Sequence, residues 1–144
     1  MTLSFLNETS TGQPEEVLTA FRLLFNNARR FYQHNAETSG SGNLRRQFAT
    51  LAELHQQILY LLPRPNQRCT NPGSIEALSE LSYWYDNKLN QISLPSIRQQ
   101  LVKQLQLQKA MIRTVDLGRY REALLHFTAS LQIATDQLAE IKTC

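Results

Sequence analysis

The segment LAELHQQILYLL, residues 51–62, carries apolar side chains and one histidine at helical spacing. The seam of this helix steps by four and three residues, which is the period of one α-helical face. Its members here are Leu51, His55, Ile58 and Leu62. At about 100° per residue, Glu53 leaves the side of the helix opposite His55, so the two side chains cannot bind one metal ion. The pattern predicts a histidine buried in an apolar seam and hydrogen-bonded to a neighbour.

The same spacing recurs in four further segments, so the sequence predicts five helices. They are expected at about 14–37, 43–62, 75–92, 96–115 and 119–142. Residue types that start or stop helices separate them: Pro14 suits a first turn, and Ser41 or Asn43 can cap the second helix. Ser74 can cap the third, and Gly118 follows the fourth. Short connections predict two antiparallel hairpins, 14–62 and 96–142.

The composition agrees with a helical domain. The chain has 144 residues with five glycines and five prolines, and a chain of this length buries roughly 68–70% of the surface it exposes when unfolded. Cys69 and Cys144 form no metal-type pair and are expected to be plain thiols. No segment reads as a signal peptide or membrane span. We therefore expect a single cytoplasmic domain over 1–144, an all-α antiparallel bundle of four long helices plus one short helix.

The first hairpin contains a motif in which Tyr32 precedes Ala36-Glu37, and a short polar loop leads to LRRQF, residues 44–48. In this it resembles the opening of a family of bacterial ferritin-like four-helix bundles, small proteins of unknown biochemical function that are sometimes linked to stress. The resemblance covers about 45 residues and implies a ferritin-like bundle. The short helix at 75–92 has no counterpart in it. Because some ferritin-like proteins hold two metal ions, the resemblance also raises the question of a metal centre.

A di-metal centre needs inward carboxylates from two helices and an inward Glu-x-x-His from each of the other two. His34 with Glu37, and Glu122 with His126, each share a helix face. Both pairs lie on the outer side of their helices. Since the inward positions of the four long helices offer no carboxylate, we expect no metal, no cofactor and no catalytic residue.

The polar residues on the predicted seams are expected to form a buried polar core. These residues are His55, Asn35 and Gln108. Asn35 or Gln108 is the expected hydrogen-bond partner of His55, and the last helix is expected to be apolar along its seam.

Two surface features are candidate interaction sites. One is a basic face, because the stretch from Arg22 to Arg68 holds seven arginines against two glutamates. Its candidate residues are Arg22, Arg29, Arg30, Arg45 and Arg46. The other is the run Tyr83-Trp84-Tyr85, in which Tyr85 fits the inward stripe. Trp84 and Tyr83 lie further round the helix, so one of them must pack against another element, a ligand or another chain.

The sequence has no glycine-rich phosphate loop, no G-x-S-x-G and no cysteine beside a plausible base. We therefore expect a non-catalytic protein that acts by binding a protein partner or by self-association, with the stress-related role that the resemblance implies. One alternative is a ferritin-like metal-binding or redox protein. Another is a nucleic-acid accessory protein using its basic face, although nucleic acid is not the expected partner, because basic and exposed aromatic residues do not alternate.

Overall fold

A computed structural model describes residues 14–63, 76–87 and 93–141. Within these ranges the regular structure is entirely helical, with five α-helices and one 3-10 turn. The helices are α1 (Pro14–Thr38), α2 (Gly42–Leu61), α3 (Glu76–Asn87), α4 (Leu94–Thr114) and α5 (Arg121–Ala139), and the turn Gly118–Tyr120 precedes α5. The expected all-α class with five helices is confirmed for this part of the chain.

Several expectations fall outside the described residues. They concern the cap at Ser74, the thiols of Cys69 and Cys144, and residues 88–92 of the third predicted helix. The described α3 ends at Asn87. The other four helices begin and end within about three residues of their predicted bounds.

Side-chain caps explain where the helices begin. Of the two expected caps for α2, Ser41 is the one used: its Oγ accepts a hydrogen bond from the Leu44 amide at 3.3 Å. Ser93 caps α4 in the same way, accepting from the Ser96 amide at 3.4 Å. α1 starts at Pro14, with Glu15 and Glu16 in its first turn, where the helix dipole favours negative charge.

The five helices contact one another in a ring, in the order α1, α2, α5, α4, α3 and back to α1. Arg22, near the start of α1, donates to the Leu59 carbonyl at the end of α2 at 3.1 Å, so these helices are antiparallel. Arg98, near the start of α4, donates to the Ala139 carbonyl at the end of α5 at 3.2 Å, which makes the second hairpin antiparallel too. α3 packs extensively on α1 and sparsely on α4, so the α3–α4 seam is the least closed part of the ring.

Aromatic side chains fill the centre of the ring. The Phe25 ring lies 5.3 Å from Phe21 and 4.9 Å from Phe127 of α5, measured between centroids. At the other end of α1, Phe31 lies 5.3 Å from Tyr85 of α3. Burying one such side chain stabilises the fold by about 1.5–3 kcal/mol relative to leaving it exposed. The apolar face of α1 therefore packs against α2, α3 and α5.

Gly118 provides a test of the turn that leads into α5. Its φ of 58° is left-handed, whereas Gly40, between α1 and α2, has no such constraint, and both have open space where a Cβ would stand. Gly118→Ala should lower the free energy of unfolding by about 1–2 kcal/mol, measured by urea denaturation. Gly40→Ala should leave it unchanged or raise it by up to about 1 kcal/mol. Equal effects of the two substitutions would contradict the assigned turn.

Candidate functional site

His55 of α2 lies at the centre of the ring and is wholly buried. Its imidazole packs among three aromatic rings, 5.8 Å from Phe25, 5.7 Å from Tyr32 and 5.2 Å from Phe127 between centroids. Nδ1 lies 2.7 Å from the Leu51 carbonyl oxygen, one turn earlier in the same helix. Because a carbonyl can only accept, Nδ1 carries the proton and Nε2 is left as an acceptor.

Gln104 of α4 supplies the partner for that acceptor. Its Nε2 lies 3.0 Å from Nε2 of His55 and 2.9 Å from Oε1 of Gln108. Its Oε1 accepts from the Tyr85 hydroxyl at 2.8 Å. One carboxamide thus uses two N–H groups and one oxygen to join three other side chains, all of them buried.

The hydrogen bonds continue from Gln104 in both directions. The Tyr32 and Tyr85 hydroxyls lie 2.8 Å apart, and since Tyr85 donates to Gln104, Tyr32 donates to Tyr85. On the other side, Gln108 Nε2 donates to Thr128 Oγ1 at 2.9 Å, and Thr128 donates to the Leu124 carbonyl at 2.7 Å. We call these six side chains, from Tyr32 to Thr128, the core network.

The core network takes at least one side chain from every helix. Tyr32 comes from α1, His55 from α2, Tyr85 from α3, Gln104 and Gln108 from α4, and Thr128 from α5. Each of their polar atoms has a partner; among the described residues, the buried side-chain polar atom without one is Oε1 of Gln47. A fully satisfied network of this kind rigidifies a core and favours one arrangement of its elements.

Burial keeps the titratable members of the core network neutral. It lowers the pKa of His55 from 6.5 to about 4, against a smaller opposite effect of the hydrogen bond to the Leu51 carbonyl. Burial raises the pKa of Tyr32 well above 10, helped by the neighbouring Tyr85. Burial likewise raises the pKa of Tyr85, partly offset by its hydrogen bond with Tyr32. At neutral pH the network therefore holds no formal charge.

The sequence pattern predicted two members of the core network, His55 and Gln108, but not Gln104 at its centre. His55 and Gln108 are both buried and joined through Gln104, whereas Asn35 is only half-buried and its amide donates to the Phe31 carbonyl at 2.8 Å. The partner of His55 is therefore Gln104, in place of the expected Asn35 or Gln108. The signal for Gln104 was its position four residues before Gln108, on the same helix face.

The seam of α5 is less apolar than expected. Thr128 and Thr135 are both buried on it, and each hydroxyl donates to the carbonyl four residues earlier, at 2.7 Å. Such a bond lets a threonine sit in an apolar seam without an unpaired hydroxyl. The Thr128 hydroxyl also accepts a hydrogen bond from Gln108 Nε2.

The candidate arginines do not form one basic face. Arg22 donates to the Leu59 carbonyl, and Arg30 lies 3.9 Å from the Asp86 carboxylate of α3. Arg45 donates to the Ser39 carbonyl at the opposite end of the hairpin, roughly 25 Å along α1 from Arg22 at 1.5 Å per residue. The two remaining arginines pair with polar neighbours of their own helix: Arg29 with Gln33 and Asn26, and Arg46 with Asn43.

The three consecutive aromatic residues of α3 differ in burial, because successive residues of a helix point in different directions. Tyr85 is buried in the core network, Tyr83 is 70% exposed, and Trp84 is half-buried. The Trp84 ring lies 5.3 Å from Phe31 and 5.4 Å from Tyr85. Its outer side borders a surface groove of about 480 Å³ between α3 and α4.

Among the described residues, no group of three His, Cys, Asp or Glu side chains lies close enough to hold a metal ion. None of the described helices is both long and apolar enough to cross a membrane. Glu122 and His126 are both exposed on α5.

Comparison with known protein families, curated proteins and solved structures gave no match to this chain. The resemblance of the first hairpin to ferritin-like bundles therefore remains a prediction.

Gln104→Leu should lower the free energy of unfolding by more than a change of one side chain of similar volume usually does. It leaves Tyr85 without an acceptor, His55 without a donor and Gln108 without its amide partner. At about 1–3 kcal/mol for each unsatisfied buried group, we expect a loss of about 3 kcal/mol or more in the free energy of unfolding. Gln99→Leu, an exposed position of the same helix, should change it by less than about 0.5 kcal/mol. A loss below 1 kcal/mol for Gln104→Leu would show that the network is not formed.

His55 should make the protein sensitive to acid. Between pH 6.5 and about 4 the unfolded chain binds a proton at His55 and the folded chain does not, so stability falls as the pH drops through this window. The full difference of about 2.5 pKa units corresponds to roughly 3 kcal/mol.

The check is urea unfolding at pH 7 and pH 4.5 of the wild type and of His55→Gln, which keeps an acceptor but cannot titrate. The wild type should lose about 2–3 kcal/mol more than the variant over this interval. Equal losses would assign the acid sensitivity to other groups.

Proposed function

We propose that the protein is a non-catalytic helical bundle that binds an amphipathic helix of a protein partner in the groove between α3 and α4. We call this surface the α3–α4 groove. It has a volume of about 480 Å³. The observation that carries the proposal is its apolar floor, made by Leu81, Trp84 and Leu107.

The packing of the ring explains why a groove lies at this place. α3 contacts α1 extensively and α4 sparsely, and the groove lies between α3 and α4, which are joined in the core through Tyr85 and Gln104. A helix laid along two such helices can place its apolar side chains between them, as in helix-in-groove recognition. The groove therefore offers an amphipathic helix apolar surface between two helices.

The floor and edges of the groove supply complementary chemistry. Trp84 is held from below by Phe31, which fixes an aromatic surface of the kind that dominates binding energy in protein interfaces. Glu80 of α3 and Lys103 of α4 border the groove on opposite sides. They offer one charge of each sign to a partner helix, which favours one direction of binding.

The state of the core supports a binding role over a catalytic one. The core network is fully buried and internally satisfied, and its histidine is a neutral acceptor locked between Gln104 and the Leu51 carbonyl. General acid–base catalysis requires a titratable group within reach of its substrate. His55 has no such access, so its polar atoms serve the fold.

A ferritin-like architecture belongs to the same proposal, and with it the stress-related role that the resemblance of the first hairpin implies. The architecture is supported by the antiparallel α1–α2 hairpin and by the packing of two residues of the quoted motif, Tyr32 and Phe48. Their rings stack with 6.2 Å between centroids.

Trp84 is the only tryptophan of the chain, so its fluorescence reports directly on the groove. The test begins with capture of proteins from a lysate of the source cells on the immobilised chain and their identification by mass spectrometry. The purified captured protein is then titrated against the chain. We expect a shift of the Trp84 emission and protection from acrylamide quenching, because a bound helix covers the exposed side of the indole.

Ala77→Arg and Val102→Arg form a matched pair for this titration. Both positions are exposed, but Ala77 lines the groove and Val102, on α4, does not. We expect Ala77→Arg to weaken binding at least ten-fold and Val102→Arg to leave it unchanged. Failure to capture any protein, or equal affinities of the two variants for the captured one, would overturn the proposal.

A further inference from the structure

A second groove runs along the outer side of the first hairpin, between α1 and α2. We call it the α1–α2 groove; its volume is about 510 Å³. Alanines at positions 36, 49 and 52 line it, and Tyr60, which is 80% exposed, stands at one end. Small side chains let a second pair of helices approach closely.

The register of the hairpin fixes which residues face each other across this groove. Contacts of α1 residues Arg22, Phe25 and Tyr32 with α2 residues Leu59, His55 and Phe48 show that the helices run past each other in step. This register places Arg29 of α1 level with Glu53 of α2, to within about two residues. It also places Glu37, near the end of α1, level with Arg45, near the start of α2.

At each of these two levels the hairpin therefore carries one positive and one negative side chain. Which helix carries the positive charge differs between the two levels. At the first level α1 is positive and α2 negative; at the second level the signs are reversed. Within the described residues these four side chains form no ion pair, since the pair found there joins Arg30 to Asp86. Arg29 instead donates to Gln33 and Asn26, and Arg45 to the Ser39 carbonyl. The two carboxylates are exposed.

We propose that the α1–α2 groove binds a second copy of this chain, related by a two-fold axis parallel to the groove. Such an axis keeps every residue at its own level and lays α1 of one copy over α2 of the other. Arg29 then meets Glu53 of the second copy, and Glu37 meets Arg45 of the second copy. The symmetry repeats both contacts, so one arrangement forms four complementary charge pairs and no like-charge pair among these residues.

The size of the face suits a dimer. α2 has 20 residues and is about 30 Å long, and two adjacent helices are roughly 20 Å wide. The projected face is therefore about 600 Å² on each copy, close to the roughly 800 Å² of accessible surface that each partner buries in a standard interface. A dimer formed here leaves the α3–α4 groove free, so the inference does not depend on the proposed function.

Charge reversal at the first level tests the arrangement. Arg29→Glu makes both residues of that level acidic, and Glu53→Arg makes both basic. Each variant alone places like charges opposite each other in its own dimer. An equimolar mixture restores opposite charges at both symmetry-related contacts, since an acidic copy then faces a basic one.

Sedimentation velocity and native mass spectrometry provide the measurements. We expect the wild type to dimerise in a concentration-dependent way and each variant to dimerise at least ten-fold more weakly. The mixture should form mainly the heterodimer, with an affinity near that of the wild type. The control pair is Arg113→Glu and Glu122→Arg, which makes the same charge changes on exposed positions of α4 and α5. These controls should dimerise as the wild type does.

Three results would overturn the inference. They are a wild type that stays monomeric at every concentration, variants at Arg29 or Glu53 that dimerise normally, and a mixture that forms no heterodimer. Because dimerisation here does not cover Trp84, the tryptophan emission should not change with chain concentration. A concentration-dependent emission would place the self-association at the α3–α4 groove instead.

Discussion

The carboxamide of Gln104 is the group on which the internal order of this bundle depends. It accepts a hydrogen bond from α3 and donates one to α2, and through Gln108 it reaches α5. Apolar contacts specify the pairing of helices less strictly, because the hydrophobic effect is non-directional. Hydrogen bonds between buried side chains specify it more strictly, since a slip leaves donors and acceptors unpaired at about 1–3 kcal/mol each. The core network thus selects one arrangement among those that the apolar faces allow.

The helices could be predicted because their periodicity and caps are local properties of the sequence. The seam through His55 and the cap at Ser41 are examples, and the structure has both. The network could be predicted only in part, since which polar residue meets His55 depends on how α4 crosses α2. The spacing predicted Gln108 on the seam of α4 and passed over Gln104, four residues earlier on the same face. The hydroxyl of Tyr85 joined the network through the position of α3, a short helix for which the resemblance offered no place.

Because the core network is closed to solvent, the candidate binding sites lie on the surface of the bundle. The titratable members of the core network are neutral and satisfied, and α3 leaves an aromatic floor exposed where it packs sparsely on α4. The outer side of α1 and α2 carries a second groove with charges in a self-complementary order. The two grooves lie on different sides of the ring, so the proposed partner binding and the proposed self-association do not exclude each other. The core network connects the helices that line both grooves, because it takes side chains from α1 and α2 and from α3 and α4.

The tautomer of His55 tests the central claim most directly. If Gln104 donates to Nε2 and the Leu51 carbonyl accepts from Nδ1, the neutral imidazole must carry its proton on Nδ1. Long-range ¹H–¹⁵N correlation spectra of the histidine rings at pH 7, with His55→Gln to assign the signals, distinguish the two tautomers. The network predicts a neutral ring protonated at Nδ1 and slow to exchange with solvent. A ring protonated at Nε2, or a charged imidazolium at this pH, would contradict it.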